Sequence, residues 1–200
     1  MKKYIQLFLL LLLTTPAFGQ LRDSVLVERP QFTIMYSEVL EQPLWVEYKV
    51  RQIEKGADRK GMNFYKEADY HTSDNDDYKR NVWDKGHMAP AAHFSDTEEN
   101  LRATFTYLNS ALQHQSLNRV EWRLLEEQER DWAEEQPLEV FIRVDFGEVI
   151  ERVPGGAAIP TAFYKAIHFS EDDVLKCFYF PNTAPDENKD WPDYEINCYE

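Results

Sequence analysis

The chain has 200 residues, with 36 Asp and Glu against 22 Lys and Arg and a formal charge of −14 at pH 7. So acidic a molecule is not a general nucleic-acid coat, because its overall field repels phosphate, although a local basic cleft remains compatible with it. Cys177 and Cys198 lie far apart with no companion CxxC, so no thiolate zinc motif is present.

The first residues have the layout of a signal peptide. Lys2 and Lys3 precede an apolar run from Ile5 to Leu13, broken only by Gln6, and Pro16-Ala17-Phe18-Gly19 follows. Cleavage is expected after Gly19. The run is shorter than the roughly 20 residues a bilayer span needs, and an uncleaved anchor is the competing reading. Removing residues 1–19 leaves 20 basic against 36 acidic residues, a charge of −16. The remainder, 20–200, fits one domain with a real hydrophobic core. No second apolar run follows, so a secreted or periplasmic protein outside the membrane is expected. In an oxidising compartment Cys177 and Cys198 either form a disulfide, tying the tail to the preceding strand, or remain free thiols.

Further along, Leu44, Val46, Tyr48 and Val50 alternate with Trp45, Glu47 and Lys49 at strand period. The segment from Gly56 to Asp84 is polar and turn-rich, with an acidic stretch from Asp69 to Asp77. Ser95-Asp96-Thr97-Glu98 reads as a capping box, with a short helix to about Phe105. A longer helix is expected from near Ser116 to Ala133, ended by Pro137, with Leu117, Leu124, Leu125, Gln128 and Trp132 on its apolar side. Leu138, Val140, Ile142 and Val144 alternate again, and Val174 to Phe180 is a third strand stopped by Pro181. No internal repeat appears. Strands before and after the helices, rather than alternating with them, indicate an α+β fold. Trp45, Trp122, Trp132 and Phe141 are expected in its core.

The chemistry concentrates in Asp84-Lys85-Gly86-His87-Met88-Ala89-Pro90-Ala91-Ala92-His93-Phe94. Flanked by Gly86 and Pro90, His87 sits on a constrained turn or hairpin that can aim an imidazole, a group able to take a proton near neutral pH. Lys85 adds positive charge beside it. Asn109, Asn118 and Glu126 follow on later elements. A hard cation such as Mg²⁺ takes oxygen ligands and keeps several waters, and an amide carbonyl is one such ligand. On one straight helix Asn118 and Glu126 would be roughly 12 Å apart along the axis and about 80° around it, so Glu126 would act through a metal-bound water. Taken alone, these residues read as a first-turn asparagine and a solvated glutamate rather than as a metal site. His93 reads as a structural histidine. His71, among Asp69, Asp74, Asp76 and Asp77, reads as part of a solvated loop, because an EF-hand's spaced Gly and terminal Glu are missing. His114 is either a substrate contact or an exposed loop residue.

The order and spacing of these motifs resemble the DNA/RNA non-specific endonuclease family, with its ββα-metal core and Asp-Arg-Gly-His signature. The matching residues are Asp84-Lys85-Gly86-His87, Tyr107-Leu108-Asn109, Gln113, Leu117-Asn118-Arg119, Trp122 and Leu125-Glu126. Arg59 before Asn63-Phe64, Tyr78, and Ile159 through Lys165 extend the likeness over about residues 40 to 182. The resemblance implies an α+β fold: a mainly antiparallel sheet flanked by helices. It implies His87 as general base, Asn118 as the ligand of Mg²⁺ (or Mn²⁺ or another divalent cation), and Asn109 and Glu126 as supports around the metal's water shell. Arg59, Lys85 and Arg119 become the substrate-facing cations. The implied reaction is hydrolysis of DNA and RNA leaving 5′-phosphate ends.

Three departures stand out. Lys85 replaces the family's arginine and loses its bidentate fork. Leu112 replaces a proline between Asn109 and Gln113, and the strand Val140 to Asp145 leads to Gly147 in place of the family's Thr-Gly ending. The charge is unusually acidic. A nuclease fold kept as a nucleic-acid or protein binding module is therefore the alternative, and a cell-envelope structural protein is a third. For the enzyme reading, the rate is expected to rise with pH through the imidazole range near 6.5, and cleavage to fall with salt.

Overall fold

The computed structural model describes residues 20–50, 53 and 56–199; the expected signal peptide, 1–19, lies outside them. In chain order the elements are β1 (Val25–Glu28), β2 (Phe32–Ser37), β3 (Gln42–Lys49), β4 (Trp83–His87), α1 (Glu98–Ala103), β5 (Ser110–His114), α2 (Gln115–Arg119), α3 (Glu121–Glu135), β6 (Leu138–Asp145), β7 (Ala162–Phe169), β8 (Val174–Pro181) and β9 (Glu195–Ile196). Seven strands form one antiparallel sheet in the order β1-β2-β3-β6-β7-β8-β9, and β4 and β5 form a separate antiparallel pair. The fold is α+β.

Alternation builds the sheet. In β6, Leu138, Val140, Ile142 and Val144 face inward and are buried, while Glu139, Phe141 and Arg143 face out. Val46 and Tyr48 of β3 and Phe163 and Ile167 of β7 join the same inner face, where Trp122 and Leu125 of α3 pack. Because side chains change face at every residue, Trp45 lies on the opposite face from Val46. Its ring meets Phe141 at 6.0 Å on the outer surface, and Phe141 is 36% exposed. Of the four aromatics expected in the core, Trp122 is buried there and Trp132 packs at its margin. Trp45 and Phe141 are corrected to the outer face. β7 escapes a periodicity reading because it is covered on nearly its whole length and carries a buried Lys165.

The helices differ from expectation in two places. The cap of α1 is Thr97, whose side chain accepts from the Asn100 N–H, so Ser95 is not the capping residue and the helix stops at Ala103. The expected single helix from Ser116 is two, broken at Val120 (φ −121°, ψ −91°). A β-branched residue resists helical χ1 packing, and the break turns Trp122, Leu125, Glu129 and Ala133 onto the sheet. The straight-helix separation of Asn118 from Glu126 therefore does not apply.

A disulfide joins Cys177 of β8 to Cys198, with Cα atoms 5.3 Å apart. At the other end, the carboxylate of Glu38 accepts from the Arg22 backbone N–H (2.8 Å) and guanidinium and from the His71 N–H (3.1 Å). The Arg22 hydrogen bonds hold the Glu38 carboxyl down at about 2 against an ordinary 4.5. A depressed folded-state value stabilises the fold above the unfolded value and is lost as pH falls from about 4.5 toward 2. Unfolding midpoints measured across that window should fall less steeply in Glu38→Gln than in wild type; parallel slopes would assign the acid sensitivity elsewhere.

Candidate active site

β4 and β5 pair in register from Trp83↔His114 to His87↔Ser110, and α2 follows β5 directly. Gly86 is required by this pairing: a Cβ there would stand 2.6 Å from the Gln113 Cβ. Leu112, where the family's proline was expected, uses its N–H to reach Gln42 Oε1 at 3.0 Å, a bond that proline lacks the hydrogen to make.

A cleft of about 590 Å³ opens between this pair and α2–α3. Arg59, Lys85, His87, Asn118, Arg119 and Glu126 all line it. Arg123 and Arg130 also line it and were not singled out from sequence; their spacing around Glu126 on one helix face was the available signal. Five cations against Glu126 and Glu127 make this wall basic within a strongly acidic chain.

His87 is half-buried, with its ring 4.7 Å from Phe64 and 4.9 Å from Phe105. Its Nε2 is buried without a hydrogen-bond partner. Burial, helped by the Arg59 charge, lowers its pKa to about 3, so the expected titration near 6.5 is corrected: the imidazole is neutral throughout the physiological range. Glu126 Oε1 is likewise buried and unpartnered, and burial pushes its carboxyl up to about 8 against the pull of Lys165. Asn118 donates its Nδ2 to Asp84 Oδ2 at 3.0 Å, which leaves its carbonyl oxygen for a cation. Asp84 is held in turn by both Nε and Nη2 of Arg119, at 2.8 and 2.7 Å. Arg119 thus spends its fork on Asp84 rather than on substrate.

Asn109 is corrected. It is fully buried, and Oδ1 accepts from the Ala89 N–H (2.8 Å) while Nδ2 donates to the carbonyls of Ala89 (2.9 Å) and Thr104 (3.0 Å). It braces the chain just after His87 and does not line the cleft. Asn109→Ala should cost ~1–3 kcal/mol in urea unfolding by stranding backbone groups. Unchanged stability with a lowered rate would return Asn109 to the metal's water shell.

Lys85 has its own setting. Its Nζ lies 5.6 Å from the Phe64 and Tyr78 ring centres and 5.4 Å from that of Tyr107, and it donates to Asn75 Oδ1 at 2.5 Å. Three aromatic faces and an amide replace the partners a fork would take. Elsewhere, His114 caps α2 by accepting from the Ser116 N–H at 3.3 Å and lies outside the cleft lining. His93 is buried and bonded to the Glu126 carbonyl, and His71 pairs with Glu41 at 3.2 Å.

Among the described residues, no group of three or more His, Cys, Asp or Glu is arranged to hold a metal ion. A magnesium site with one amide ligand and a shell of waters is not such a group. Two orphaned buried atoms, His87 Nε2 and Glu126 Oε1, face the same cleft as an amide oriented by Asp84; this donor set fits a hydrated hard cation. No helix among the described residues is long and apolar enough to cross a membrane.

The DNA/RNA non-specific endonuclease family model matches residues 13–200. The chain is similar to the mitochondrial nuclease EXOG of Xenopus laevis, 28% identical over 82% of this chain and 52% of that protein. It is 27% identical to the mitochondrial nuclease of Saccharomyces cerevisiae over 89% of this chain and 62% of that protein. It thus spans about half to three-fifths of these relatives' length. A crystal structure of an EndoG/EndoGI complex superposes with a TM-score of 0.78 at 22% identity, covering 87% of this chain and 80% of that one, a likeness of fold. With the match running through the β4–β5–α2–α3 unit and the cleft, the chain belongs to the DNA/RNA non-specific endonuclease family.

Proposed function

We propose that this chain is an exported endonuclease that hydrolyses phosphodiester bonds of DNA and RNA without strong sequence preference and depends on Mg²⁺ or a similar divalent cation. The observation that carries the reading is one basic cleft lined by His87, Asn118 and Glu126, with buried acceptor atoms on His87 and Glu126 that no protein donor uses. Asn118 would hold the cation, which supplies positive charge at the phosphoryl and leaving oxygens. His87 Nε2 takes the proton of a water as the water oxygen bonds to phosphorus; the P–O3′ bond breaks, O3′ takes a proton from solvent to become a 3′-hydroxyl, and the phosphate remains on O5′ of the downstream nucleotide. Glu126 would order water at the cation site. Arg59, Arg123 and Arg130 offer charge to phosphate, with Lys85 contributing from its aromatic setting. Arg119 and Asp84 hold Asn118 in place, and Asn109 holds the backbone after His87.

Export is supported by the leader-like start of the sequence and by the disulfide, a bond that persists in oxidising compartments. The direct test is incubation of purified 20–200 with plasmid DNA and with RNA, in Mg²⁺ and in EDTA. Cleavage that EDTA stops and salt weakens is expected; no cation-dependent cleavage at any pH from 5 to 9 would sink the proposal. The enclosed Lys85 cation favours a second reading, a binding module without turnover. That reading requires nucleic-acid binding with no cleavage even in Mn²⁺.

A further inference from the structure

Two sets of side-chain bonds join the His87 segment to the helices across the cleft. One is Asp84 with Asn118 and Arg119. The other runs through His93, which follows Pro90 and Ala91 of the cleft wall and reaches the Glu126 carbonyl with Nε2 at 3.1 Å. A carbonyl only accepts, so Nε2 carries the proton, and Nδ1 faces Glu129 Oε2 at 3.7 Å. Glu129 Oε2 also accepts from the Tyr48 hydroxyl at 3.0 Å, while Oε1 meets Lys165 Nζ at 2.7 Å. Lys165 in turn lies 4.0 Å over the Trp122 ring.

Glu129, Lys165 and His93 are all fully buried. A buried ion pair is a weak source of stability, since removing two charges from water costs several kcal/mol per ion, and apolar replacements are often neutral or better. Such a pair lends itself to geometry more than to strength: it admits few arrangements, and this one ties α3 to β3 and β7, while His93, packed beside Glu129, separately ties the turn after His87 to the α3 backbone at Glu126. The cleft's chemistry needs His87 and Glu126 at a set separation, and displacement by about 1 Å costs ~10²-fold in rate.

We propose that His93, Glu129 and Lys165 are positioning residues that set the separation of His87 from Glu126 across the cleft. The inference rests on the nuclease reading for its rate effect, but not for its geometry.

The test is the double variant Glu129→Gln/Lys165→Met, which removes both charges and keeps an acceptor for Tyr48. Its unfolding midpoint should stay within about 5 °C of wild type. Its kcat should fall ~10- to 100-fold with KM within ~3-fold, and the His87 Cε1–H resonance of the metal-free protein should move. A folded variant with wild-type kcat and an unmoved His87 resonance overturns the proposal. Should that variant not fold, His93→Phe, which keeps ring shape and removes the bond to Glu126, is judged by the same rate and resonance. If wild type itself cleaves nothing, the nuclease reading fails, and the His87 resonance alone decides the network.

Discussion

Replacing His87 with alanine is expected to lower the rate constant for plasmid cleavage by ~10²- to 10⁴-fold, the range of a lost general base, with little change in substrate affinity at low salt. The reason is geometric. His87 offers a buried Nε2 without a protein partner in the basic cleft, and Phe64 and Phe105 hold its ring. Because burial and Arg59 keep it neutral down to about 3, the base is competent throughout the neutral range. Its own titration should not produce a rate step at 6.5. Retained cleavage in His87→Ala, measured in Mg²⁺ and Mn²⁺ with unchanged unfolding, would remove His87 from the mechanism.

The second large effect is at Glu126. Its carboxyl is ordinarily half-ionised at 4.5 but is pushed up to about 8 by burial. Below 4.5 it is protonated whether the chain is folded or not. As pH rises from there toward 8, the unfolded chain ionises first, so stability is lost across that window. Glu126→Gln should therefore be more stable than wild type by ~2–3 kcal/mol at pH 9, below the upper limit of ~5 kcal/mol because the cleft admits water. The gain should vanish at pH 4. Equal gains at both pH values in urea unfolding would reject the assignment.

A bound cation favours the ionised carboxylate. Wild type should therefore release a proton on binding Mg²⁺ at pH 7.5, and Glu126→Gln should not; calorimetry in buffers of different ionisation enthalpy reads the difference. On the proposed mechanism, a rise of cleavage with pH would then come from Glu126 rather than from His87. It should flatten in whatever activity, ~10²-fold reduced, Glu126→Gln retains. Greater stability with lower activity is what a strained catalytic carboxyl produces.

Much of this was legible in the residues. Side-chain parity in β3 and β6 marked the inner face, because only one residue in two can reach it. His87, Asn118, Glu126, Arg59 and Lys85 took their roles from the motif order and spacing shared with the family, and all five line the cleft. Composition determined the acidic surface, yet the basic wall is local: a net charge of −14 carries no information on where Arg119, Arg123 and Arg130 gather.

Tertiary structure alone decided the rest. Asn109 and Asn118 are the same residue type nine positions apart; one spends every side-chain bond on backbone, and the other keeps an oxygen for the cleft. The helix breaks at Val120, and the second piece carries Trp122 and Leu125 onto the sheet. Lys165, charged and in a strand, is fully buried, and Glu129 from a helix 36 positions earlier makes that burial tolerable. The pairing of Cys177 with Cys198 needed β8 and the tail side by side. Sequence determines what a residue is able to do; whether a polar atom is spent or left free depends on partners distant in the chain, and only folding brings those within about 3 Å.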